Sequence, residues 1–110
     1  MDISSLKKLE NVITPTVRIG KKGLTIGLIN DINLQLKKRG IIKIKVLRNF
    51  FDDNALVEIN KKEILNSLIS ELEKVTKGKV LSTRGNTILL YNPFAKKYLP
   101  VLRKEKENYN

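Results

Sequence analysis

Residues 20–23 read Gly-Lys-Lys-Gly, two cations held between two glycines. Glycine lets a backbone approach an anion closely, because no Cβ intervenes and positive φ is available. A GxxG spacing arises by chance about once in every two chains of this length, so the spacing alone decides little. Its surroundings add weight. Val17 to Ile19 reads as the end of a strand and a helical period begins just after Gly23. The loop thus joins a strand to a helix N-terminus, where unsatisfied N–H groups face outward and the dipole favours anions. The chemistry expected of Gly20, Lys21, Lys22 and Gly23 is non-covalent holding of phosphate. The plain alternative is a tight turn with two incidental lysines.

Covalent chemistry finds little support. The chain has no histidine and no cysteine, which removes Ser-His-Asp and Cys-His arrangements, imidazole and thiolate metal sites, and disulfides. Asp52 and Asp53 are adjacent but stand without a further acid at metal-ligand spacing, and read as a solvated pair. No cofactor is expected. The Gly-x-x-x-x-Gly-Lys-Ser/Thr pattern of nucleotide-binding loops is absent, and Gly20, Gly23 and Gly27 do not follow dinucleotide-fold spacing.

Other cations are open to two readings. Lys43 and Lys45 alternate with Ile42, Ile44 and Val46; they either extend a phosphate-binding surface or are ordinary solvated strand residues. Arg18 lies on the opposite strand face from Val17 and Ile19. Arg84, beside Gly85, can pair with a polyanion or simply sit in a turn. Lys37, Lys38 and Arg39 suit the negative end of a helix dipole. Aromatic residues are 5% of the chain, and no strand carries the paired rings of an RNA-recognition motif.

The elements that must position these residues follow from the hydrophobic pattern. Ile3 to Asn11 reads as a short helix, and Thr14-Pro15 ends it. Thr16 to Ile19 is a strand. From Leu24 or Thr25 to Arg39 the period is helical, with Leu28, Ile29, Ile32 and Leu36 on one face, Thr25 as cap and Gly40 as terminator. Ile41 to Leu47 alternates as a strand should. Residues 48–59 carry no legible period. Asn60, with Glu63 three residues on, reads as the cap of a third helix with the stripe Ile64, Leu65, Leu68, Leu72 and Val75, ending before Gly78. Lys79 to Thr83 and Thr87 to Tyr91 read as a hairpin turned at Arg84-Gly85-Asn86. The order α-β-α-β-α-β-β implies an α/β fold: a four-stranded mixed sheet with packed helices, in which strands joined through helices run parallel.

At 110 residues and 41% apolar content the chain fits one domain. We expect it over 1–97, with a basic tail at 98–110. The charge is strongly positive: 22 Lys and Arg against 11 Asp and Glu, net +11, pI near 10.0. Residues 1–49 carry +8, residues 50–73 carry −4 and residues 74–110 carry +7. Such an excess is the footprint of a polyanion binder. No apolar run approaches the roughly 20 residues of a membrane span, and the first residues lack the pattern of a secretory signal, so a cytoplasmic location without membrane attachment is expected.

Three stretches together resemble a known family. VRIGKKGLTIGLINDI (17–32), LKKRGIIKIKV (36–46) and TRGNTILLY (83–91) are similar to a CRM domain of the YhbY type, over roughly residues 3–93. The resemblance implies the same α-β-α-β-α-β-β order and RNA binding through the GxxG loop, hence through Gly20, Lys21, Lys22 and Gly23. It also implies a setting, since bacterial single-domain members associate with precursors of the large ribosomal subunit and plant members act in organellar intron splicing. The stretch from Phe50 to Ile59 is longer than in compact bacterial members. The expected function is therefore a non-enzymatic RNA-binding accessory protein whose partner is ribosomal RNA or a ribosomal precursor particle, with Arg18, Lys43, Lys45 and Arg84 joining the loop. Oligomeric state is not legible. Two rivals remain: an Alba-like DNA or chromatin binder, and a protein-interaction module docking through the acidic middle with Phe50 and Phe51.

Overall fold

Alternation of β-branched and charged residues puts Ile41–Val46 into a strand (β2), and the same pattern makes a shorter one of Pro15–Ile19 (β1). The computed structural model describes residues 8–51 and 59–95; the expected tail at 98–110, the start of the first expected helix and the Asp52-Asp53 pair lie outside them. Helix α1 spans Ile26–Arg39, α2 spans Ile59–Val75, and the last two strands are β3 (Lys79–Arg84) and β4 (Thr87–Tyr91). Among the described residues there are also two 3-10 turns, at Lys8–Asn11 and Arg48–Phe50.

Among the described residues the strands form one sheet, in the order β1-β2-β4-β3. β1 and β2 are parallel, while β4 pairs antiparallel with both β2 and β3. β2 and β3, joined through α2, therefore run parallel with one strand between them, as the crossover connection requires. The turn between β3 and β4 is two residues long, with positive φ at Gly85 and not at Asn86, the II′ pattern that matches strand twist.

Both helices pack on one sheet face. Val17, Ile19, Ile42, Ile44, Val46, Ile88 and Leu90 meet Ile32, Leu36, Leu68 and Leu72 there in one buried cluster. Thr25 caps α1, its Oγ1 accepting from the Leu28 N–H at 3.2 Å, and the Gly40 N–H closes the other end on the Leu36 carbonyl. Gly78 follows α2 where only a hydrogen fits: a Cβ there would meet Leu90 Cγ at 2.6 Å and Leu36 Cδ1 at 3.0 Å. The edge strand β3 is blunted by Glu73, whose Oε2 accepts from the outward Val80 N–H.

The opposite sheet face carries no α-helix among the described residues. Its middle holds a smaller cluster, Ile41, Leu81 and Leu89, packed against Ile13, Tyr91 and Ala95. The N-terminal turn also lies over this face. The Glu10 carbonyl accepts from Lys43 Nζ at 2.8 Å, and Glu10 Oε2 accepts from Ser82 Oγ at 3.2 Å.

Four expectations need correction. The described part of the first helix is a 3-10 turn. Helix α2 begins at Ile59, so Asn60 lies inside it rather than capping it. Val75 is 38% exposed because the buried line runs Leu68, Leu72, Thr76 at spacing four, and Thr76 donates its hydroxyl back to the Leu72 carbonyl. Phe50 and Phe51 are not a free docking pair: Phe51 is 6% exposed in the core, and the rings meet edge to face at 5.3 Å.

Candidate nucleic-acid interface

The GxxG loop closes as a β-turn. The Gly23 N–H donates to the Gly20 carbonyl at 2.9 Å, and Lys21 and Lys22 occupy the two central positions, both exposed. Gly23 has φ +66°, which an L side chain adopts only with strain. The loop and α1 are separated by Leu24 and Thr25, so the helix starts a little later than expected. The Gly23 N–H is also committed inside the turn rather than pointing outward. The first turn of α1 contains no acid, so the positive end of its dipole stays unneutralised beside the two lysines.

What holds the loop comes from the segment without a sequence signal. Leu47 donates its N–H to the Ile19 carbonyl at 2.8 Å and carries the chain past the end of β1. Asn49 then lies against Gly20, where a Cβ would meet its Oδ1 at 3.1 Å. Phe50 lies against Gly23, with its Cε1 3.8 Å from the corresponding position. The loop thus rests on Asn49 and Phe50, which are themselves anchored through Phe51. Arg48, exposed, enters the same end of the molecule. Asn49 and Arg48 were not singled out from sequence, and Phe50 and Phe51 were read there only as a docking pair for a protein partner. The only available signal was that an unassigned segment directly followed a strand parallel to the loop's own.

The pairing registers align a row of cations on the helix-free face. Arg18 is opposite Lys45, Lys45 is opposite Thr87, and Thr87 is opposite Arg84. One line across all four strands therefore carries three cations and a threonine; the core-facing Ile19–Val46 pair stands between it and the GxxG loop, and the Gly85-Asn86 turn follows it directly. Arg84 Nη1 donates to Asn11 Oδ1 at 3.0 Å, which steadies that guanidinium. No strand of the sheet contains an Asp or Glu.

The sequence candidates therefore separate. Gly20, Lys21, Lys22, Gly23, Arg18, Lys45 and Arg84 share one end of the sheet. Lys43 sits two rungs away on the same face, half-buried, with its ammonium on the Glu10 carbonyl; it ties the N-terminal turn to the sheet. Lys37, Lys38 and Arg39 stand at the far end of α1, about 20 Å along the axis from the loop. Among the described residues no three Asp or Glu side chains come together to hold a metal ion. No helix among them is long and apolar enough to cross a membrane.

Similarity to known proteins extends over most of the chain. The family model described as the CRS1 / YhbY (CRM) domain matches residues 2–92. The chain is 30% identical over 86 residues to Bacillus subtilis "Probable RNA-binding protein YqeI", covering 78% of each chain. It is 29% identical over 99 residues to a Haemophilus influenzae RNA-binding protein, covering 90% of this chain and 89% of that one. It is 35% identical to the Methanocaldococcus jannaschii "Probable RNA-binding protein MJ0652", spanning 64% of that protein's length. The solution structure of Staphylococcus aureus SAV1595 superposes with a TM-score of 0.61 at 31% identity, covering 86% of each chain.

Proposed function

The chain belongs to the CRS1 / YhbY (CRM) domain family, and from that membership and the geometry we infer that it is a non-catalytic RNA-binding protein. The GxxG loop holds the sugar-phosphate backbone. Lys21 and Lys22 neutralise phosphates, and the glycines set the turn that presents them. The supporting observation is the placement of the loop: two exposed lysines on a braced turn, beside a helix whose first turn contains no acid and a sheet whose strands contain none. The biological setting is assembly of the large ribosomal subunit in the cytoplasm, a reading supported by the family resemblance. Crosslinking in cells followed by sequencing of bound RNA tests it. Large-subunit ribosomal RNA and its precursors should dominate the crosslinked pool and fall away in the Lys21→Ala/Lys22→Ala variant. A pool dominated by messenger RNA would remove the ribosomal setting, and recovery of DNA in place of RNA would remove the RNA reading.

A further inference from the structure

We propose that the cross-strand row Arg18–Lys45–Thr87–Arg84 and the GxxG loop form one phosphate-contacting strip, and that the RNA it takes is double-helical. This rests on the reading above that the loop binds RNA, and it specifies which form of RNA.

The row runs perpendicular to the strands. Neighbouring strands lie about 4.8 Å apart, so Arg18 and Arg84, three strand steps apart, stand roughly 14 Å from each other at the backbone. The positions are fixed by sheet hydrogen bonds and not by a loop. Arg84 is further steadied by Asn11, and the end of β2 is tied to the hairpin by the Val46 N–H on the Asn86 carbonyl at 2.7 Å. Cations carried at fixed backbone positions suit a rigid array of phosphates. A duplex presents its phosphates already ordered, whereas a single strand must lose conformational freedom on binding.

Single-strand binders offset that cost by stacking bases on exposed rings. Among the described residues this end of the molecule offers no such ring. Phe51 is buried, and Phe50 is half-buried between Phe51 and Gly23. Tyr91 pairs with Ile41 and Lys79 at the opposite end of the strands, and Phe94 lies beyond it. The row itself consists of two arginines, a lysine and a threonine. Contact through phosphates and shape, without base stacking, is how proteins take double-stranded RNA.

The test titrates the full chain with a mixed-sequence RNA duplex of about 20 base pairs, with each of its strands alone, and with the DNA duplex of the same sequence, at matched salt. The RNA duplex should bind at least tenfold tighter than either strand. The Arg18→Ala/Lys45→Ala variant, with an unchanged melting temperature, should lose about tenfold in duplex affinity and less than threefold for the strands. Equal or tighter binding of the strands overturns the duplex assignment and leaves the loop reading standing. Unchanged duplex affinity in the variant overturns the row. Equal binding of DNA duplex overturns selection of RNA geometry. No binding to any RNA removes the underlying reading itself.

Discussion

Asn49 lies against the backbone of Gly20 so closely that a Cβ on Gly20 would come within 3.1 Å of its Oδ1. A segment 29 residues further along the chain thus sets the position of the loop. In Gly20→Ala the exposed Asn49 side chain or the loop must shift by a few tenths of an ångström. RNA affinity should fall several-fold while stability drops by no more than about 1 kcal/mol. Titration and urea unfolding on the same preparation check both. Asn49→Ala, which removes the neighbour, should restore part of the lost affinity in the double variant.

Gly23 tests the turn differently. Its surroundings leave room for a methyl group, with Phe50 Cε1 at 3.8 Å, but its φ of +66° does not suit one. Gly23→Ala should cost about 1–2 kcal/mol, and Gly23→Asn less, since asparagine tolerates the left-handed region. Denaturant midpoints of the two variants, in that order, are the measurement.

Lys21→Ala/Lys22→Ala should leave the melting temperature unchanged, because both side chains are exposed. The slope of log K against log salt should become shallower by about 1.4 for single strands or about 1.8 for a duplex. An unchanged slope would remove both lysines from phosphate contact.

Lys43 and Lys45 should part company. Lys43→Ala loses the bond to the Glu10 carbonyl, so stability should fall by about 1–2 kcal/mol with little change in RNA affinity. Lys45→Ala should do the reverse. Parallel thermal melts and titrations of the two single variants decide it.

Gly78→Ala forces a methyl into Leu90 and Leu36 and should destabilise the domain by about 1–3 kcal/mol. Affinity measured well below the melting temperature should not change, because Gly78 lies remote from the loop.

What was legible in the sequence was what is set locally. Thr25 caps α1 with its hydroxyl and Gly40 ends it with the left-handed backbone that glycine allows, and Ile42, Ile44 and Val46 face the core because strand alternation leaves no other arrangement. The loop was found because glycines and lysines at that junction have local meaning. Its brace was not, because Asn49 and Phe50 gain their role only when β2 lies parallel to β1 and delivers them beside Gly20 and Gly23. Lys43 and Lys45 look equivalent along the chain. The N-terminal turn, 33 residues earlier, separates them by capping one ammonium. Asn60 misled as a cap because a preferred cap residue contributes only about 1 kcal/mol, too little to fix where a helix begins.

Strand order gives the sheet a sequence of assembly. β4, the last strand among the described residues, lies between β2 and β3, and its pairing with β2 joins Ile44 to Ile88 across more than forty intervening residues. Bringing such distant segments together is slow compared with local helix formation. During synthesis every residue of the loop and its brace has been made once Phe51 has emerged, although the core that buries Phe51 comes later. Arg84 joins Lys45 and Arg18 only after Thr87 has been made and has taken its place between them. A nascent or truncated chain lacking β4 would carry the lysine loop without the aligned row, so the full basic surface exists only in a finished domain.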